Sequence, residues 1–168
     1  MSVEPALELT VSPLPSVGAV APSVAGPTGS GAISATELAG RPFVLYFYPK
    51  DATPGCTVEA HDFRDASAQF AVVGVRIIGV SRDSARSHAR FCEKEGLTFP
   101  LIADESGVLC AAFGVWQEKK QYGRSYMGIV RSTFLIGADG RVAAVWSPVK
   151  VKGHVEAVLA AARALPAT

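Results

Sequence analysis

The feature that most constrains the fold is a fully apolar run, 43–48, which is followed within five residues by a helix-start signal. The run is rich in aromatic residues and shows no polar alternation, which indicates a strand that is buried on both faces. Thr53 is a favoured helix N-cap residue, and Pro54 suits the first helical position. A helix is therefore predicted from this point to about Phe70, and a strand leading into a helix is typical of an α/β sheet.

The same alternation of strand and helix patterns continues along the chain. Further strands are predicted over 71–81, 98–102, 132–137 and 141–147, and further helices over 83–95, 104–113 and 155–165. The pair Asp139-Gly140 indicates a hairpin between the last two strands. Strands alternating with helices pair in parallel, and a late hairpin adds an antiparallel pair. We therefore predict one α/β domain over residues 1–168, with a mixed central sheet and helices on both faces.

The N-terminal part of the chain, 1–33, is rich in proline and glycine, which exclude long helices. Short extended segments are predicted at 7–11 and 22–24, and we expect them to form an N-terminal hairpin at the edge of the sheet. Ser34 followed by Glu37 fits a capping box for a short helix that stops at Gly40.

Composition and charge exclude several classes of function. The formal net charge is +1, from 16 Lys and Arg against 15 Asp and Glu, and no basic block suggests nucleic-acid binding. No apolar run approaches the ~20 residues of a membrane span. The first residues carry Glu4 and Glu8 but no Lys or Arg, so a secretory signal is not expected. Three cysteines do not make a disulfide framework, and we expect a cytoplasmic protein whose cysteines are available for chemistry.

Cys56 has the position of a reactive thiol. It falls in the first turn of the predicted helix after the central strand, where unpaired backbone N–H groups and the helix dipole stabilise an anion. The preceding loop lies at the carboxyl end of the strand, where open α/β sheets place their ligands. Many lone cysteines are buried and inert, and position alone leaves both interpretations open.

The residues around Cys56 carry a family resemblance. The spacing Pro49-x-x-x-Thr53-x-x-Cys56 resembles the active-site signature of the peroxiredoxins. The peroxiredoxins are thiol peroxidases with a thioredoxin-like fold. The longer string, 46–57, resembles the corresponding segment of their Q-type branch, whose members are also called bacterioferritin co-migratory proteins. Further segments resemble the family in order along nearly the whole chain, at 18–22, 99–104, 113–116 and 128–136. The resemblance implies a thioredoxin-like fold and hydroperoxide reduction that needs no metal or organic cofactor.

The resemblance also implies a role for each site residue. Cys56 would be the peroxidatic nucleophile, which peroxide oxidises to a sulfenic acid. Thr53 would hydrogen-bond the peroxide, or serve only as an N-cap. Arg131, on a strand in the family, would stabilise the thiolate and the leaving oxygen. Pro49 would shield the thiolate, and Glu59 would either orient Arg131 or face solvent.

The resemblance leaves one departure, which concerns the second cysteine. Many Q-type proteins carry a resolving cysteine five residues after the nucleophile, and that position here is His61. A second subset carries it on the next helix, at a position that resembles Cys92. The resemblance thus implies an intramolecular Cys56–Cys92 disulfide in a monomer, recycled by thioredoxin or a similar dithiol reductant. Alternatively, Cys92 is a half-buried core residue, and Cys110, interpreted as core, is the reserve candidate for resolution.

Geometry adds a condition to the Cys56–Cys92 disulfide. The two Cβ atoms must come within ~4.5 Å, which two separate folded helices rarely allow. We therefore expect the first turn of the Cys56 helix and part of the Cys92 helix to unfold locally.

Two alternative functions are also compatible with the sequence. A thiol–disulfide oxidoreductase of the same fold would normally carry Cys-x-x-Cys, which is absent. A non-catalytic chaperone or peroxide-sensing module would not need Thr53 and Arg131. The histidines, at positions 61, 88 and 154, form no zinc-ligand spacing with the cysteines. His61 points about 140° away from Cys56 on a helix, and each histidine is interpreted as surface or structural.

Overall fold

The computed structural model describes residues 10–166. Its strands are β1 (Gly26–Thr28), β2 (Gly31–Ile33), β3 (Phe43–Phe47), β4 (Arg76–Ser81), β5 (Leu101–Ala103), β6 (Trp116–Gln121), β7 (Arg124–Ile129), β8 (Ser132–Ile136) and β9 (Val142–Trp146). Its helices are α1 (Ala35–Leu38), α2 (Pro54–Val72), α3 (Ala85–Glu95), α4 (Val108–Ala112) and α5 (His154–Arg163). Within this part of the chain, no helix is both long enough and apolar enough to cross a membrane.

The apolar run forms β3, which lies inside a seven-stranded sheet of order β2-β1-β5-β4-β3-β8-β9. Strands β3, β4 and β5 are parallel, whereas β8 pairs antiparallel with both β3 and β9. The predicted mixed sheet and the late hairpin are confirmed.

Alternate side chains of β3 enter two cores, one on each face of the sheet. The α2-side core, built from α2, α3 and α5, includes Tyr46, Phe63, Phe70, Phe91 and Leu159. The α4-side core, built on α1 and α4, includes Leu38, Leu45, Phe47, Cys110 and Phe113. Each fully buried side chain of this size contributes ~1.5–3 kcal/mol of transfer free energy. Helices therefore cover both faces, as predicted.

The N-terminal hairpin lies at β1 and β2, so the predicted position is wrong. Residues 22–24 form no strand, nor do 10–11, and the rest of the segment predicted at 7–11 lies outside the described residues. Val24 instead buries its side chain in the α4-side core. β1 pairs with β5 through Thr28, and a Cβ on Gly26 would lie 2.8 Å from Cγ2 of Ile102. That close approach favours glycine at this point of the sheet edge.

The boundary between α2 and β4 also differs from the prediction of a strand over 71–81. Ala71 and Val72 complete α2, and Val72 is exposed on its outer face. Gly74, with a φ of +71°, then reverses the chain so that β4 begins at Arg76. The apolar residues from 71 to 73 could not distinguish a helix end from a strand start. The capping box of Ser34 and Glu37 is confirmed, and the other predicted elements agree within four residues at each end.

A two-stranded ribbon of β6 and β7 was not predicted. It forms a sheet of its own, with a tight turn at Tyr122 and Gly123, both at positive φ. Much of the ribbon is exposed and carries Lys, Gln and Arg residues. It therefore lacks the alternation of apolar and polar residues that predicts a half-buried strand.

Candidate active site

Cys56 is the third residue of α2 and is 2% exposed. Thr53 is the N-cap by backbone conformation, and its side chain makes no capping hydrogen bond. The hydroxyl Oγ1 of Thr53 instead donates to the carbonyl oxygen of Lys50 at 2.7 Å. The predicted N-cap position of Thr53 is confirmed, but its side chain does not cap the helix and instead orders the loop before α2.

Arg131 reaches the thiol from β8. Phe47 pairs with Ser132, so Arg131, directly before β8, lies beyond the carboxyl end of β3 and not within a strand. Its Nη2 donates to Sγ of Cys56 at 3.4 Å. A Cβ on Gly55 would lie 3.2 Å from that Nη2, so glycine leaves room for the guanidinium. The guanidinium thus places a permanent positive charge beside the sulfur.

Glu59 holds the other side of the guanidinium. Nη1 of Arg131 donates to Oε1 of Glu59 at 2.7 Å, and Glu59 is 0% exposed. The alternative in which Glu59 faces solvent is therefore wrong. Burial raises the pKa of Glu59 to about 7, against the opposing effect of Arg131. Within residues 10–166, the Oε2 atom of Glu59 has no hydrogen-bond partner.

Pro49 lies in the loop between β3 and α2, half-buried and directly after Tyr48. Asp51 in the same loop is buried, and its Oδ1 accepts a hydrogen bond from the Tyr48 hydroxyl at 2.6 Å. The backbone N–H of Asp51 donates to Oδ2 of Asp83 at 3.0 Å. The loop that precedes Cys56 is therefore fixed by buried polar contacts that the sequence did not indicate.

Comparison with known proteins identifies the family to which this chain belongs. Residues 17–145 match the AhpC/TSA family. The chain belongs to that family. It is 52% identical to peroxiredoxin Bcp of Xanthomonas campestris over 126 residues, which are 75% of this chain and 79% of that protein.

Two solved structures from the same organism are also similar to this AhpC/TSA protein. Peroxiredoxin Q is 44% identical, with a TM-score of 0.81 over 90% of this chain and 97% of that chain. A bacterioferritin comigratory protein is 43% identical, with a TM-score of 0.81 over 91% of this chain and 98% of that one. The predicted thioredoxin-like fold and the Q-type branch are confirmed, and the chain is a thiol-dependent peroxidase.

The other two cysteines of this peroxiredoxin lie on opposite faces of the sheet. Cys92 is half-buried and packs against the α2-side core, which also contains Cys56. Cys110 is fully buried in the α4-side core, as predicted, so the sheet separates it from Cys56. Burial, with a smaller contribution from the charge of Asp51, raises the pKa of the Cys92 thiol to about 11. All three cysteines are free in this conformation.

The three histidines of this peroxiredoxin have structural partners. Nε2 of His61 lies 2.6 Å from Oε2 of Glu95, on the partly exposed face between α2 and α3. His88 and His154 are buried. Among residues 10–166, no three His, Cys, Asp or Glu side chains gather in a position to hold a metal ion.

Buried His154 makes stability depend on pH. Burial, with a smaller effect from Arg131, lowers the pKa of His154 from 6.5 to about 4. The unfolded chain therefore binds this proton more readily between these values, so the free energy of unfolding should fall as pH drops from 6.5 to about 4. The contribution is at most about 3 kcal/mol and is complete above pH 6.5.

His154→Gln isolates this effect, because its amide can still reach Oγ1 of Thr133, which lies 2.8 Å from Nε2 of His154. Urea unfolding at a series of pH values measures both proteins. The difference between the free energies of unfolding of the wild type and the variant should change between pH 6.5 and about 4. A difference that stays constant over these pH values would contradict the assignment to His154.

Proposed function

We propose that Cys56 is the peroxidatic residue with which this peroxiredoxin reduces hydrogen peroxide and organic hydroperoxides. The observation that supports the assignment is the contact of the Arg131 guanidinium with the buried Cys56 sulfur at 3.4 Å. The comigratory protein of X. campestris was studied for its alkyl peroxide reduction activity, which supports organic substrates here.

The first chemical step is a displacement at oxygen. The Cys56 thiolate attacks one peroxide oxygen, the O–O bond breaks, and the leaving oxygen takes a proton as water or an alcohol. Cys56 becomes a sulfenic acid, and Arg131 stabilises negative charge on the sulfur before the step and on the leaving oxygen during it.

Thr53 and Pro49 have supporting roles in this proposal. The Thr53 hydroxyl donates its hydrogen bond to the Lys50 carbonyl. The lone pairs of the hydroxyl oxygen therefore stay available to accept a hydrogen bond from the peroxide O–H. Pro49 has neither a backbone N–H nor a reacting side chain, and its half-buried ring limits water at the loop.

The second step joins Cys92 to Cys56. The Cys92 sulfur attacks the sulfenic acid sulfur, and an S–S bond forms as water leaves. Cys92 is favoured over Cys110 because it shares the α2-side core with Cys56, whereas the sheet stands between Cys56 and Cys110. With a pKa of about 11, Cys92 is a neutral thiol in the folded helix at pH 7. Local opening of α3 would return it to solvent and increase its thiolate fraction.

A thiol reductant then restores both cysteines. We propose that thioredoxin or a similar dithiol protein fills this role, that the enzyme acts as a monomer, and that residues 1–168 form one domain. Three free cysteines suit a reducing compartment such as the cytoplasm. These proposals rest on the resemblance to the Q-type branch.

Mapping of disulfides tests the assignment of Cys92. After one equivalent of hydrogen peroxide, mass spectrometry should find a Cys56–Cys92 disulfide. Cys92→Ser should stop at the Cys56 sulfenic acid, which dimedone traps. Cys110→Ser is the matched control and should form the same disulfide as the wild type. A Cys56–Cys110 disulfide, or a persistent sulfenic acid in the wild type, would exclude Cys92 as the resolving residue.

A further inference from the structure

A buried pair of side chains, His88 and Asp51, joins the loop before Cys56 to the helix of Cys92. Nδ1 of His88 lies 2.8 Å from Oδ2 of Asp51, and Nε2 of His88 lies 3.0 Å from the carbonyl oxygen of Ile102. The His88 side chain is 0% exposed and that of Asp51 is 4% exposed. Neither of the residues has a role in the peroxidase steps above.

The contacts of His88 and Asp51 hold both side chains in place. The Ile102 carbonyl can only accept a hydrogen bond, so Nε2 of His88 must donate. Burial alone would raise the pKa of Asp51, but hydrogen bonds from His88, Tyr48 and Ser87 outweigh burial and lower it. Asp51 is therefore a carboxylate that His88, Tyr48 and Ser87 hold in place.

This pair holds the N-terminal half of α3. Oδ2 of Asp51 also accepts a hydrogen bond from Oγ of Ser87 at 2.7 Å. The turn between β1 and β2 lies against the same half of the helix, since a Cβ on Gly29 would lie 2.7 Å from the backbone nitrogen of Ala89. Cys92 follows His88 by one helical turn on the same side of α3.

The C-terminal end of α3 is held at a more exposed site. His61 contacts Oε2 of Glu95 at 2.6 Å, with 35% of the His61 side chain exposed, and Arg64 donates to the Glu95 carbonyl at 2.7 Å. A contact that is open to solvent contributes less than a buried one, and removal of one partner from a buried pair is strongly destabilising. The two ends of α3 therefore resist opening unequally.

We propose that Asp51 and His88 are positioning residues that set how readily the Cys92 segment of α3 opens, by holding the helix on the loop that carries Cys56. The effect on catalysis rests on the proposed function, because it requires Cys92 to be the resolving cysteine. A stronger pair keeps Cys92 buried for longer and prolongs the life of the Cys56 sulfenic acid. A weaker pair speeds formation of the disulfide.

Hydrogen exchange of the reduced full-length protein measures this opening directly. His88→Gln can keep the hydrogen bond to the Ile102 carbonyl but loses the donor to Asp51, and it should raise amide exchange in α3 by about tenfold or more. His88→Asn can keep a donor near the position of Nδ1 and should raise it less. Exchange in α5 should not change in either variant. The control is Arg90→Gln, at an exposed position of α3, which should match the wild type.

A second variant covers the case in which His88→Gln does not fold. Asp51→Asn has the same shape and keeps an acceptor for Tyr48, but it carries no negative charge and loses one of the two carboxylate oxygens that accept hydrogen bonds. It should also raise exchange in α3 above that of the wild type. Unchanged exchange in α3, or an equal rise in α3 and α5, would overturn the proposal.

A kinetic measurement separates this proposal from the assignment of Cys92. After one equivalent of hydrogen peroxide, His88→Gln should form the Cys56–Cys92 disulfide several times faster, while the rate constant for sulfenic acid formation stays the same. Formation of the disulfide at the wild-type rate would overturn the positioning role. Faster exchange in α3 without any Cys56–Cys92 disulfide would support control of opening by the pair and exclude Cys92 as the resolving residue.

Discussion

Replacing Cys56 with serine is expected to reduce peroxide turnover to background, a loss of at least about 10³-fold. A serine hydroxyl is not ionised near neutral pH, so the contact with Arg131 would remain while the nucleophile disappears. Peroxide consumption, measured with excess small-molecule dithiol as reductant, tests this without depending on the identity of the natural reductant. The near-equal size of the two side chains should keep the buried first turn of α2 folded.

The control for this experiment is Cys92→Ser, which leaves Cys56 intact. It should still reduce one equivalent of peroxide in a single turnover, with Cys56 as the oxidised residue. Thermal unfolding of both variants should resemble that of the wild type, because neither substitution changes much volume. Turnover of peroxide by Cys56→Ser at a rate near that of the wild type would place the reacting group elsewhere.

Much of the fold follows from local signals in the sequence. The apolar run before Thr53 and Pro54 defines β3 and the start of α2, and the capping box of Ser34 and Glu37 defines α1. These signals depend on residues a few positions apart. By contrast, β1 and β2 are three residues long, and the place of their hairpin in the sheet is set by the pairing of β1 with β5, about 70 residues further along the chain. Such pairing has no local signature.

The site shows the same division between local and distant contacts. The position of Cys56 at a helix N-terminus could be predicted, because strand, N-cap and helix are adjacent in sequence. Arg131 lies 75 residues away, and only the family resemblance singled it out. Asp51 and His88 are 37 residues apart, and an isolated histidine in a helix gives no sign of a buried partner. Their pairing depends on the packing of α3 against the loop.

Arg131→Met is expected to slow the reaction of Cys56 with hydrogen peroxide by about 10²–10³-fold. Methionine fills a similar volume but carries no charge, and the buried Glu59 carboxyl would lose its partner at 2.7 Å. Arg131→Lys keeps the charge, yet a single ammonium lacks the fork that contacts Glu59 and Cys56 together. It should therefore recover only part of the lost rate. Stopped-flow measurement of Cys56 oxidation gives the rate constants.

Alkylation of Cys56 by iodoacetamide at the same pH separates the two effects of the guanidinium. Alkylation depends on the thiolate but has no oxyanion leaving group, so it reports only how well Arg131 stabilises the sulfur anion. If Arg131 also stabilises the leaving oxygen of the peroxide, Arg131→Met must slow peroxide reduction more than alkylation, by a further factor of about ten. Equal losses in the two reactions would show that Arg131 acts on the thiolate alone. The 3.4 Å contact between Nη2 and Sγ supports the first effect, and the ratio of the two rates measures the second.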